Sequence, residues 1–345
     1  MVFGKKMASK SLQFYLKKYL AGSKQSKVAG FTLLELLMAI AVAGIVLYGM
    51  LSLVVNLLGI EQKETAKSQV QQEMDQAMDY IAADLQKAVY IYDGDCVAGG
   101  VGSPGDPDYC PGLDNILGFS SENVIPVVAF WKLEEVPYRN PTTTAAQQLP
   151  TDCTSLPASD QNQCYALKTG RHTNTLVIYA LDPDPSNTWD GPATITRYQL
   201  RKYDPEQLST LTLTTNFVDP TTTEKSYQTW PCNTDGTNCL AQQSYAGNND
   251  VLVDLVDKDL LSNNPPTCAD YPNYSLTGDN AHSSFYACVK PPELGSGNFQ
   301  DAIVFLRGNA AEKAGESGSR NTVYLPSLQR RIQARSLYET TPSDL

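Results

Sequence analysis

Histidine is nearly missing from this chain of 345 residues, which has only His172 and His282. Both stand in loop-like or serine-rich surroundings and neither lies in a G-x-S-x-G elbow, so a nucleophilic triad has almost no base to draw on. A Walker-type phosphate loop is also absent, which leaves nothing to cradle a nucleotide. No C-x2-C pair occurs, and neither the cysteine spacings nor the two histidines supply the close ligand pairs of a zinc site. These absences leave no catalytic residue, metal or cofactor to nominate.

Other absences are regional. Residues 1–30 contain no acid and seven lysines, Lys5, Lys6, Lys10, Lys17, Lys18, Lys24 and Lys27, while residues 36–60 contain no charged side chain. The formal net charge of -11 therefore hides an asymmetry: beyond Gly30 the chain carries 19 Lys+Arg against 37 Asp+Glu, a net of -18. A body that acidic repels phosphate backbones, so nucleic acid is not an expected partner. The charged fraction of 18% and hydrophobic fraction of 42% suit an ordered globular body with a sizeable core.

Cysteine is absent before the long apolar run. All eight lie beyond it, at Cys96, Cys110, Cys153, Cys164, Cys232, Cys239, Cys268 and Cys288. An even count confined to one side of a membrane span reads as disulfides formed in an oxidising compartment, with free thiols or metal as the competing reading. Pairing by sequence proximity gives 96/110, 153/164, 232/239 and 268/288.

What the chain does have is concentrated near its start. A run of about 20 apolar residues suffices to cross the hydrocarbon core as a helix, and Leu36–Ile60 exceeds it. Lysines before the run and an acidic body after it orient the leader to the cytoplasm and the bulk outside. A secretory signal is cut after its apolar core. Here the order is inverted, because the basic leader ends in Val28-Ala29-Gly30 and the apolar run follows at once as Phe31-Thr32-Leu33-Leu34-Glu35-Leu36-Leu37. A plain single-pass anchor explains the hydrophobicity and the charge bias, but not Glu35. A carboxylate inside an apolar helix costs about 2.5 to 3.5 kcal/mol on insertion scales, so it needs a cationic partner. Cleavage between Gly30 and Phe31 creates that cation, the new Phe31 amine, either in the same chain or in an adjacent subunit.

The stretch G-F-T-L-L-E-L-L, between a basic leader and an apolar helix, resembles the type III signal of type IV prepilins and type II secretion pseudopilins. The resemblance implies cleavage after Gly30 by a prepilin peptidase, N-methylation of Phe31 and a docking role for Glu35. It further implies other pilins, an inner-membrane assembly platform and the membrane as partners, with filament extension driven by a separate ATPase. Gly44 sits where pilins often carry a helix-weakening glycine, and Ser52 where many have proline. Alternatively, Gly44, Gly49 and Gly59 serve close helix contact, and both readings stand.

Past Ile60 the helical period continues in Met74, Met78, Ile81, Leu85 and Ala88, with Asp75, Asp79, Gln86 and Lys87 opposite. This predicts a continuous helix from about Phe31 to Tyr92. Beyond Asp93 come seven strand-like runs: 124–131, 175–181, 193–202, 251–256, 285–289, 302–306 and 328–335. The expectation is therefore an α+β, pilin-like fold. It comprises a leader (1–30), a transmembrane or filament-core helix (31–60), an amphipathic helix (61–92) and an extracytoplasmic β-rich head (93–345). An antiparallel sheet packs on the helix, and disulfides tie down long loops at 93–120, 137–170 and 205–248.

The stretch Met78 to Asp93 resembles minor pilins of the PilW or J-pseudopilin type. Residues 251–257, 285–289 and 305–310 resemble the cyanobacterial hormogonium polysaccharide secretion pseudopilins, the C member in particular. That resemblance implies a minor subunit serving polysaccharide export and gliding motility. A second reading is a tip-displayed module that contacts exported polysaccharide, and a third, a membrane-anchored hydrolase, lacks a competent base. Asp93-Gly94-Asp95, Asp182-Pro183-Asp184 and Asn233-Thr234-Asp235-Gly236 offer oxygen ligands for a hard cation, but none completes a calcium loop, and turn chemistry explains them. Tyr271, Tyr274 and Tyr286 read either as glycan contacts or as buried amphipathic side chains.

Overall fold

A computed structural model describes residues 30–334, apart from 105, 107, 114–118, 120–122, 139–143, 186–187, 223–225, 233–238, 241–248, 259–264, 280, 292–298 and 317–321. The chain divides into two compact units, Met1–Ile60 and Glu61–Leu345. Of the expected features, the leader up to Ala29, the Asn233–Gly236 turn and Arg335 lie outside the described residues.

In the first unit the described part is coil up to Thr32 and then helix, the start of α1 (Leu33–Leu85). Every side chain from Phe31 to Leu58 is exposed, as an apolar segment with no protein around it must be. The helix runs unbroken through Gly44, Gly49, Ser52 and Gly59. It is long and apolar enough to cross a membrane.

In the second unit the apolar stripe of α1 turns inward. Val70, Met74, Ala77, Met78, Ile81 and Leu85 are buried, while Asp75 and Asp79 remain exposed. Ile81 and Leu85 have no exposure at all, and burying each stabilises the fold by about 1.5 to 3 kcal/mol. The helix ends at Leu85 rather than at Tyr92, since residues 88–91 form strand β1 (Ala88–Ile91). All four of its side chains are buried, with Tyr92 after them. A surface helix cannot bury every successive side chain, whereas an extended segment covered on both faces can, and Val89, Tyr90 and Ile91 favour it.

The strands continue as β2 (Ile125–Glu135), β3 (His172–Asp182), β4 (Ala193–Arg201), β5 (Asn249–Val256), β6 (Ser275–Thr277), β7 (Phe285–Lys290), β8 (Gln300–Arg307) and β9 (Ser327–Ala334). The single expected sheet is two, a five-stranded β1-β2-β3-β4-β5 and a four-stranded β6-β7-β8-β9, antiparallel throughout. In β3, Val177, Tyr179 and Leu181 join the core that includes α1, and Leu176, Ile178 and Ala180 join a second core with Trp131 and Trp230. Burial on both faces is why β3 reads as an unbroken apolar run. Beneath the second sheet, Phe285, Ala287, Val289, Val304, Leu306 and Ile332 close the core that α1 begins.

The two sheets meet at both margins. At one, Gln300 accepts from the Ile91 amide at 2.7 Å and donates to the Ile91 carbonyl at 2.8 Å, acting as a one-residue strand. At the other, Val256 bridges Gly308, and the Asn309 amide donates to the Leu255 carbonyl at 2.7 Å.

Four disulfides join Cys96–Cys110, Cys153–Cys164, Cys232–Cys239 and Cys268–Cys288. Cys96 lies on the short helix α2 (Gly94–Ala98) and Cys164 on α3 (Ala158–Gly170), which occupies part of the expected loop 137–170.

Candidate functional site

Gly30 is exposed coil, and nothing lies within 4 Å of a β-carbon built on it. Phe31 is 79% exposed. Among the described residues, nothing packs on the side-chain flanks of the Gly30–Phe31 peptide bond.

Thr32 opens α1. Its hydroxyl accepts from the Glu35 amide at 3.3 Å, and its carbonyl accepts from the Glu35 and Leu36 amides at 3.0 and 3.1 Å. Thr-x-x-Glu before an apolar run is the signature of a capping box, in which the threonine satisfies an orphan amide of the first turn. This cap went unread in the sequence although its pattern, Thr32-Leu33-Leu34-Glu35, was in plain view. It fixes Glu35 as the third helical residue, exposed, in the first turn. There its carboxylate faces the positive end of the helix dipole. A free amine at Phe31 would add a cation at that same end.

Within Glu61–Leu345 the structure assembles a charged cluster that the sequence did not disclose. Asp84, the last residue but one of α1, is buried. Its Oδ1 accepts from Lys132 Nζ at 2.9 Å, and its Oδ2 accepts from Arg197 Nη2 at 2.7 Å, Arg197 Nε at 2.9 Å and the Tyr179 hydroxyl at 3.0 Å. Beside them Arg201 Nε and Nη2 donate to the two Glu134 carboxylate oxygens at 3.0 and 2.9 Å. Burial alone would raise the Glu134 carboxyl, but the Arg201 guanidinium and the Thr175 hydroxyl outweigh it and hold the group below the usual range. Lys132 is lowered as well, but here burial is the leading cause, with Arg197 adding repulsion, and Asp84 only partly offsets this. The cluster lines a cleft of about 750 Å³.

The remaining expected residues are placed as follows. His172 is exposed and its Nδ1 contacts the Gly170 carbonyl, and His282 Nδ1 bonds Asp279 Oδ2 at 2.8 Å. Neither ring bonds a serine, threonine or cysteine among the described residues. Asp93 caps α2 by accepting from the Cys96 amide at 3.0 Å, and Asp182 accepts from the Asp184 amide at 3.0 Å, so these carboxylates serve local turns. Tyr271, Tyr274 and Tyr286 are half-buried. Tyr286 stacks on Phe305 at 4.5 Å, while the Tyr274 hydroxyl donates to Asp301 at 2.9 Å and that of Tyr271 accepts from Gln329 at 2.7 Å.

No curated protein and no solved structure matches the chain. Residues 25–51 match the family model of the prokaryotic N-terminal methylation motif. Together with the apolar helix, the antiparallel sheets and the four disulfides, that motif supports a type IV pilin-like protein, implying processing by a prepilin peptidase and assembly with other pilins.

Proposed function

We propose that the chain is a minor pilin or pseudopilin, a structural subunit of a type IV pilus-like or type II secretion-like filament, and not an enzyme. A prepilin peptidase cuts after Gly30, Phe31 is N-methylated, and Glu35 docks the subunit by pairing with a Phe31 amine. The leader is cytoplasmic, the helix crosses the inner membrane, and the head stands outside it. The observation that carries this reading is the methylation motif over residues 25–51. Its geometry supports the chemistry, with an exposed Gly30–Phe31 bond followed at once by a capped helix that carries Glu35 in its first turn, ahead of the uncharged run 36–60.

The finer assignment, to the PilW or J type and to the cyanobacterial polysaccharide secretion pseudopilins, rests on the local sequence of residues 78–93 and of the late strands. It makes polysaccharide export and gliding motility the process served. Mass spectrometry of the mature N-terminus tests the whole reading: a methylated Phe31 is expected, and an intact leader on the native protein would overturn it. A head that displays a binding site is a second reading, favoured by the cleft beside Asp84.

A further inference from the structure

Two buried cations in the head share one carboxylate. Lys132 and Arg197 have 9% and 4% exposure, and both bond Asp84. The neighbouring Arg201 is matched by Glu134, and of the two exposed charges that also line the cleft, Lys87 and Glu135, one is positive and one negative. The cleft is therefore left with a surplus of one positive charge, within a body whose formal charge beyond Gly30 is -18. Burying a charge without a partner is costly, yet the donors for a further anion are in place. Lys132 Nζ has three N–H groups and uses one, on Asp84, among the described residues. Arg197 bonds through Nε and Nη2, which leaves Nη1 without a bond among the described residues. Both residues line the cleft.

We infer that this cleft binds a small ligand bearing one carboxylate, received by Lys132 Nζ and Arg197 Nη1. A single negative charge completes the cluster, whereas a dianion would reverse the surplus. A polyanion would also meet the repulsion of the acidic body. The volume of about 750 Å³ falls within the roughly 300–1,000 Å³ of small-ligand pockets. The rest of the lining suits hydroxyl groups: Gln199, Glu135 and His172 offer donors and acceptors, and the Tyr80 ring, 43% exposed, offers an apolar face. A carboxylate with hydroxyls around a ring is the chemistry of a sugar acid. The inference goes beyond the filament reading and does not depend on it, because every residue involved lies within Glu61–Leu345.

The test is calorimetric titration of the full chain in detergent micelles with glucuronate, glucose and sulfate. Glucuronate should bind saturably and at least tenfold more tightly than either of the others. Lys132→Met should weaken it at least tenfold while the chain still folds, since the substitution leaves Asp84 and Arg197 paired one to one. Glucose or sulfate binding as well as glucuronate, in the unmodified chain, would overturn the inference. So would unchanged glucuronate binding in a folded Lys132→Met chain.

Discussion

A β-carbon on Gly308 would stand 2.8 Å from Cγ1 of Val70, and closer still to the Met74 sulfur. The turn after β8 is therefore seated directly on α1, with hydrogen as the only substituent that fits. Gly308→Ala must push the turn or the helix aside, at a cost of about 1 to 3 kcal/mol. Urea unfolding of the full chain should show the loss as a lower midpoint with unchanged slope.

Among the described residues, Asp84 is the one acid that forms ion pairs with both Lys132 and Arg197. Asp84→Ala strands two cations in a buried site and should cost about 3 to 5 kcal/mol. Lys132→Met, which removes the surplus cation, should cost far less or even stabilise. Comparing the two melting curves checks the asymmetry.

Acid should weaken the Glu134–Arg201 pair. The Glu134 carboxyl is held low in the folded chain, and about 4.3 is its ordinary value when unfolded. The unfolded state thus takes up the proton first as pH falls, and the contribution, full above about 4.3, is lost as pH drops through the folded value. Glu134→Gln should flatten this part of the stability profile between about pH 5 and 2, by on the order of 1 kcal/mol. Unfolding midpoints of both chains across that range give the comparison.

Breaking the Cys153–Cys164 link, which closes a separation of 11 residues, should cost about 2 to 4 kcal/mol. The damage should be local to α3. Limited proteolysis with and without reductant should show new cuts around residues 137–170 before any within α1, and equal sensitivity of the helix would contradict this.

Glu35→Ala should leave the chain cleaved and inserted but should reduce its share in sheared filaments, as read by immunoblot against the membrane fraction. Thr32→Val removes the cap and should fray the first turn by about 1 kcal/mol, giving a milder form of the same defect.

Much of this was legible because one-dimensional patterns sufficed. The alternation of Leu328, Gln329 and Arg330 through Ala334 marks β9, and the apolar run of 175–181 marks β3. The end of α1 was not legible, because Ala88 continues the three-residue step from Leu85 and so prolongs an apparent helix into β1. In α3 only Cys164 and Leu167 are buried, too sparse a stripe to show. The Asp84 cluster was hidden for a different reason: its cations lie 48 and 113 residues away along the chain, and no local periodicity reports such a meeting.

The pairing of Gln300 with Ile91 spans 209 residues. The floor of the head is synthesised first and the strands that complete its cover much later, so part of the apolar stripe of α1 stays uncovered until β8 and β9 emerge. Folding with such distant closures is slow and exposes sticky surface. A chaperone that shelters the stripe from Val70 to Leu85 until β8 and β9 arrive would meet the need this topology creates.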